Sequence, residues 1–386
     1  MIGHEHDSIK RKIRVGVLFG GRSGEHEVSL MSARSVISAL DPDRYEIVEI
    51  GITKEGQWIT GAAMAQLQAG DSEAHPAAFL PDPQSSALMQ IEANDRQRPE
   101  LSEVSELDVI VPILHGTYGE DGTVQGLLEL TNLPYVGAGV VGSAVGMDKA
   151  IFKYVMEAND IPIVDWQLVT IDMWRDHAQD VLEKIESEFN YPVFTKPANL
   201  GSSVGITKCH NRSELEMGIN EAFQYDRRMV VEQGINAREL EVSVLGNEHP
   251  VSSIVGEIRP RREFYDYIAK YIASPGSEDE SELLIPAAID DEMSQVVREM
   301  AVRAYMAIDC AGMARVDLML DKDSGLLFMN EINTIPGFTK ISMYPKLWEA
   351  TGLDYSSLLD RLIDLAIERH DQKIQLKTNF DVGQAT

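Results

Sequence analysis

Apolar positions along this chain follow two alternating rhythms. Runs such as "IRVGVLFGG" (Ile13 to Gly21), "YEIVEIGIT" and "LDVIVPILHG" are dense in β-branched residues and read as buried strands. "EVSLMSARSVISAL" and "DGTVQGLLELTNLP" instead carry the three- and four-residue spacing of helices, the second closed by Asn132 and Pro134. Strand then helix, repeated, predicts an α/β protein. From Gly61 to Glu106 the chain is rich in Ala, Gln, Pro and Asp with weak periodicity, which predicts surface loops and short helices without evident chemistry. Near "YVGAGVVGSAVGMDKAIFKYVMEANDIP" a glycine-rich turn opens a helix predicted to run to about Asn159. Helix, strand, glycine loop, strand, helix and strand follow, as far as "RRMVVEQGI". The last part begins with "ELEVSVLGN", has long strands at "GMARVDLMLD" and "GLLFMNEIN", and ends in helices and a frayed tail, "LKTNFDVGQAT". These changes divide the chain into expected units 1–137, 138–231 and 232–386, with no internal repeat.

Composition narrows the partners. The chain has 386 residues, 44% apolar and 25% charged, the profile of a globular protein. Its 62 acidic and 34 basic residues give a net charge of −28, which repels nucleic-acid backbones and anionic membrane surfaces. Only two cysteines are present, so neither a disulfide framework nor a structural zinc site is expected. The opening residues carry too short an apolar run for a signal peptide, and no stretch approaches the roughly 18 apolar residues of a membrane span. A cytoplasmic location is expected.

Three segments invite chemistry. "GAGVVG" (Gly137 to Gly142), with Asp165 downstream, matches the dinucleotide fingerprint, but "PYV" before it is too short for the strand that fingerprint needs, which counts against nicotinamide binding. "KPANLGSSVGITK" sets Lys196 before a Gly-Ser-Ser-Val-Gly loop whose amides and hydroxyls can wrap phosphate; an ordinary hairpin turn is an equally good reading of that segment alone. Finally, Asp317 of "ARVDLML" and Glu331 and Asn333 of "FMNEINTIPGF" can converge if their strands pair through the "DKDSG" turn. Three oxygen donors beside a phosphate loop suit Mg²⁺ shared with nucleotide phosphates.

Taken jointly, "LFGGRSGEHEVSL", "HGTYGEDGTVQGLLEL", "GMDKAIFK", "KPANLGSSVG", "EFYDYIAKY", "GMARVDLML" and "NEINTIPGFT" resemble the D-alanyl-D-alanine ligases of the ATP-grasp superfamily, from about Val15 to Ile367. The resemblance implies a three-domain ATP-grasp fold with an N-terminal α/β substrate domain. It implies ligation of two D-alanines through an acyl phosphate, with ATP, two Mg²⁺ or Mn²⁺ ions and a homodimeric assembly. Carried onto this chain, it puts Lys149, Lys196, Ser202 and Ser203 on the ATP phosphates, Glu232, Gln233 and Ile235 at the adenine and Glu239 on the ribose. Asp317, Glu331 and Asn333 match the metal ligands.

On the substrate side the resemblance assigns Glu25 to the first D-alanine's ammonium and His115 to its surroundings. It gives Arg315 and the Gly337 amide to the oxyanion and Ser342 to the second carboxylate. The loop "EFYDYIAKYIASPGSEDE" is implied to close over the site, with Lys270 reaching the γ-phosphate and Tyr271 bonding Ser202 and Glu25. Taken singly, several of these residues have plainer readings: Glu25 as a helix cap, His115 as a structural histidine, the loop aromatics as a packed patch. Within the superfamily a D-alanyl-D-lactate ligase is disfavoured by the "AKY" ending of that loop, and a ligase for another carboxylic acid remains open. A non-catalytic nucleotide-binding regulator is disfavoured because Arg315 and all three metal-ligand positions are retained.

Overall fold

The computed structural model describes residues 11–69, 75–93, 98–201, 203–259 and 282–378; Ser202, Lys270, Tyr271 and the aromatic loop lie outside them. Among the described residues the strands form three sheets. The first is built on β1 (Ile13–Gly20), which lies parallel to β2 (Tyr45–Ile52) and β7 (Val109–Ile113). Valines and phenylalanine on one face of β1 are fully buried beneath α1 (His26–Ala39) and the C-terminal helix, as the continuous apolar run of a parallel strand requires.

The segment from Gly61 to Glu106 departs from expectation. It holds the short α2 (Ala63–Ala69), but also β4 (His75–Phe79), β5 (Ala87–Ala93) and β6 (Pro99–Glu106), which extend the sheet antiparallel beyond β3 (Trp58–Thr60). Most of β6, "PELSEVSE", is exposed on both faces, so it lacks the apolar alternation by which strands are recognised; ladder bonds to β5 carry it.

After α3 (Thr123–Leu130), the predicted helix from the glycine-rich turn to Asn159 is two helices, α4 (Val140–Met147) and α5 (Lys149–Ala158). Asp148, extended at ψ 103°, breaks the run, and its carboxylate accepts from the amides of Ala150 and Ile151 at 3.1 and 3.0 Å to cap α5. Arg228 pairs with the other carboxylate oxygen. The "GAGVVG" glycines serve packing here. Only an isolated bridge at Tyr135 precedes them, and a side chain at Gly142 would come within 2.9 Å of the Asp309 carbonyl.

The second sheet, in the order β10 (Thr207–Cys209), β9 (Val193–Pro197), β11 (Arg228–Gln233), β8 (Trp166–Thr170), packs its apolar face against α6 (Ile171–Glu188) and α7 (Arg212–Ala222). The third runs β14 (Glu282–Leu284), β13 (Val251–Arg259), β12 (Ala237–Gly246), β15 (Gly312–Asp321), β16 (Leu327–Asn333), with α8 (Asp291–Ala307) over its core face. The terminal helices α9 (Met343–Thr351) and α10 (Tyr355–Ile374) return to the first sheet and share one core with β1, so the first strand and the last two helices are packed together.

Asp148 therefore has two structural tasks. Asp148→Ala removes the cap and leaves Arg228 without its partner, and should cost roughly 2 kcal/mol; Asp148→Asn, which still caps, should cost less. Urea unfolding followed by circular dichroism checks this, and wild-type stability in the alanine variant would contradict it.

Candidate active site

Register across the third sheet assembles the charged face. Asp317 on β15 sits between Glu241 on β12 and Glu331 on β16; one row along, Arg315 sits between Ser243 and Asn333. A β-bulge follows Asp317, so that Met329 opposes Leu318 while Glu331 opposes Asp317. The extra residue, Asn330, changes the parity of β16. Leu327, Met329 and Ile332 go to the core, and Glu331 and Asn333 go to the opposite face with Asp317. Arg315 clamps Asp317 with both ends of its guanidinium, Nε to Oδ1 at 2.8 Å and Nη2 to Oδ2 at 2.6 Å. Asn333 Nδ2 donates to the same Oδ2 at 3.0 Å, and Arg315 Nε lies 3.2 Å from Glu241 Oε2. Burial works against the guanidinium's charge, but Asp317 and Glu241 hold it well above its ordinary range.

A second cluster descends from α5. Lys149, the first residue of that helix, donates from Nζ to the Leu200 carbonyl at 2.5 Å; burial pulls its pKa down against the attraction of Glu331. One turn on, Lys153 is 2% exposed, and its ammonium is 3.1 Å from Glu232 Oε1, whose other oxygen meets Lys196 Nζ at 2.6 Å. Burial would raise the Glu232 carboxyl, but the two lysines outweigh it and hold it down to about 2. Burial drags Lys153 down, whereas Lys196, at the shorter distance, is held up by Glu232. The four-residue spacing in "KAIFK" was the sole sequence signal for Lys153.

Gln233 turns its amide to the neighbouring loop, bonding the Asn190 and Gly234 carbonyls at 2.8 and 2.9 Å. Gln233, Ile235 and Glu239 do not line the central cavity, although the charge of Glu239 acts on Lys196.

The third cluster comes from the first sheet. Glu25 stands at the N-cap position of α1 without capping it through its side chain. Its carboxylate instead lies against Gly116, where a side chain would come within 2.6 Å of Oε2, and Gly116 at φ +77° is in the region that favours glycine. His115 is enclosed and burial lowers its pKa. The neutral ring fits its partners: Nδ1–H donates to the Ile335 carbonyl at 3.0 Å, and the Ser32 hydroxyl, which accepts from the Phe338 amide, donates to Nε2 at 3.2 Å. Glu120, which sequence reading did not single out, accepts from the amides of Gly116 and Ile335 at 2.7 and 3.3 Å. Burial, aided by Glu25, pushes its carboxyl up to about 8. Ser342, before α9, takes the Thr339 amide at 3.1 Å and lies 3.1 Å from where a Gly337 side chain would begin.

All three clusters face one cavity of about 780 Å³. Glu25, His115, Lys149, Ser203 and Arg315 line it together with Glu331, Asn333, Gly337 and Ser342. Lys196 and Glu232 lie behind Lys153, and Asp317 lies against Arg315. Glu120, Lys153 and Glu241 are lining residues that motif reading missed. Among the described residues no three His, Cys, Asp or Glu side chains form a metal cage. Asp317, Glu331 and Asn333 supply hard oxygen donors, too few to enclose an ion alone, which fits Mg²⁺ or Mn²⁺ completed by phosphate and water. A cation taking Asp317 there competes with Arg315.

Glu120 gives this site a pH signature. A carboxyl raised from its ordinary 4.5 to about 8 stabilises the fold only while protonated, so its contribution is complete below about pH 4.5 and is lost as pH rises through about 8. The melting temperature of Glu120→Gln minus that of the wild type should therefore rise across this window. A constant difference by scanning calorimetry would contradict the shift.

Comparison with known proteins identifies the family. Residues 14–138 match the family model described as D-ala D-ala ligase N-terminus, and residues 155–364 match D-ala D-ala ligase C-terminus. A protein of Heliobacterium modesticaldum named D-alanine–D-alanine ligase is 48% identical over 364 residues, 94% of this chain and 96% of that one. Among solved structures, the D-alanine–D-alanine ligase of Coxiella burnetii superposes with a TM-score of 0.77 at 36% identity, covering 94% of this chain and 96% of its own. A D-Ala:D-Ser ligase from Enterococcus faecalis gives 0.80 at 33%, covering 92% of this chain and all of its own. With both family models matched in order, an ATP-grasp fold shared with solved ligases and relatives aligned over nearly the whole length, this chain belongs to the D-alanine–D-alanine ligase family.

Proposed function

We propose that this chain condenses two D-alanines to D-alanyl-D-alanine for peptidoglycan precursors, converting ATP to ADP and phosphate. One observation carries the reading. A single cavity is bordered by lysines of α5, by Arg315 with Glu331 and Asn333, and by Glu25 with His115. It thus offers places for phosphates, for a reacting carboxyl and for an ammonium. The relatives aligned at 45–49% identity bear the name of this activity, whereas the D-Ala:D-Ser ligase stands at 33%, which favours D-alanine as acceptor.

The chemistry follows from a carboxylate's poor electrophilicity. Glu25 takes the first D-alanine's ammonium, and the neutral His115 shapes that end of the site without adding charge. A carboxylate oxygen bonds the γ-phosphorus as the bridge to the β-phosphate breaks, giving an acyl phosphate. Lys149, Lys196 and Lys153 offset the phosphate charge. Asp317, Glu331 and Asn333 would hold Mg²⁺ or Mn²⁺, two ions with ATP, which when bound add neutralisation of the phosphate oxygens. The second amine, in its neutral form, attacks the acyl carbon, the Arg315 guanidinium and Gly337 amide stabilise the oxyanion, and phosphate departs with the carboxylate's oxygen while the nitrogen's surplus proton passes to solvent. Ser342 donates to the second carboxylate. Ser202, Lys270 and Tyr271 are carried in the proposal as the closing set, and Ser203, Glu232, Gln233, Ile235 and Glu239 as the nucleotide's surroundings. A homodimeric, cytoplasmic enzyme is part of the same proposal; two free, buried cysteines and the use of ATP support a reducing compartment.

Phosphate release by the purified chain should require ATP, a divalent cation and D-alanine, and should be negligible with L-alanine alone. Replacing Glu331 with Gln should lower it by about a hundredfold or more with the fold intact. Turnover with either enantiomer alike, or a product richer in D-alanyl-D-serine when both acceptors compete, would overturn the assignment.

A further inference from the structure

The Arg315 guanidinium and a cation would compete for Asp317. The reading above needs an Asp317 oxygen for a cation, yet Oδ1 accepts from Arg315 Nε, and Oδ2 accepts from both Arg315 Nη2 and Asn333 Nδ2. Oδ1 keeps a lone pair, but Oδ2 already accepts twice, so a cation drawing on Oδ2 displaces a donor and its charge repels the guanidinium, which loosens this clamp. A guanidinium whose side chain is only 19% exposed cannot give up its carboxylate without a large penalty unless another stands ready. Glu241 occupies that position. Its register on β12 puts it opposite Asp317 and beside Arg315, it is 5% exposed, and its Oε2 already lies 3.2 Å from the Nε that Asp317 holds at 2.8 Å. It lines the same cavity, so Arg315 can move to it without leaving the site. A plain structural ion pair would account for the burial but not for a second carboxylate sharing a donor that is already bonded.

We propose that Glu241 is a positioning residue that takes over the Arg315 guanidinium when a divalent cation draws Asp317 away, keeping Arg315 over the reacting carboxyl. The proposal rests on the reading of Asp317 as a metal ligand. It makes Glu241 part of cation affinity although it touches no cation. It also distinguishes a hand-off from the general attraction of one more negative charge, because the hand-off exists only while Arg315 is present.

The test is a double-mutant cycle read by Mn²⁺ binding to the full chain with ADP, followed by electron paramagnetic resonance, without turnover. Glu241→Gln should weaken Mn²⁺ binding about tenfold in the wild-type background and less than about twofold in the Arg315→Met background, where Asp317 is unclamped. Glu241→Asp, which keeps the charge, should recover most of the affinity and guards against a folding defect in the glutamine variant. Equal losses in both backgrounds would reduce Glu241 to a distant charge and overturn the proposal. So would unchanged affinity in the folded Glu241→Gln protein, or a loss in Glu241→Asp as large as in Glu241→Gln. Failure of the wild type itself to bind Mn²⁺, or undiminished binding by Asp317→Asn, would overturn the metal-site reading and the hand-off with it.

Discussion

The Arg315–Asp317 clamp is the interaction on which the rest of the site depends. A guanidinium placed on a sheet face inside a cavity must be neutralised there, and the carboxylates that neutralise it are also the oxygens suited to a hard cation. Both requirements are met by register. β12, β15 and β16 bring Glu241, Asp317 and Glu331 into one row, and the bulge at Asn330 sends Glu331 to the row while Met329 stays in the core. Were Asn330 to pair in regular alternation instead of bulging, Glu331 would share the face of Met329 and the charged row would lose a member.

The other walls are built to reach this row. Asp148 stops α4 and caps α5, so that Lys149 and Lys153 project together from the first turns of α5. The first sheet sends Glu25 and His115 from the C-terminal ends of parallel strands, where α/β proteins commonly bind ligands. His115 then bonds the Ile335 carbonyl just beyond β16. The terminal helices close the arrangement by joining the first sheet to the third through a shared core, which keeps the substrate side and the charged row in one body.

Much of this was legible in the sequence, and the exceptions have physical causes. Buried strands and amphipathic helices announce themselves by periodicity, and the pairing of Asp317 with Glu331 followed from two strands joined by a short turn. β6 did not, because it is exposed on both faces and gains its order from β5. The break at Asp148 was hidden because apolar spacing continues across it. Lys153, Glu120 and Glu241 were missed for a different reason. Lys153 in a helix, Glu120 in a turn and Glu241 in a strand each sit in a pattern that reads as ordinary, and the role of each comes from partners far along the chain: Glu232 for Lys153, Ile335 for Glu120, Arg315 for Glu241. Conversely, Gln233, Ile235 and Glu239, expected at the nucleotide from the resemblance, do not border the central cavity.

The central claim is that this cavity activates a carboxylate by phosphorylating it before an amine attacks. D-Alanine labelled with ¹⁸O in its carboxyl group tests it most directly, with mass spectrometry of the phosphate released during dipeptide synthesis. If the acyl phosphate forms, one labelled oxygen from the first D-alanine leaves in each phosphate. Dipeptide formed with unlabelled phosphate would contradict the account.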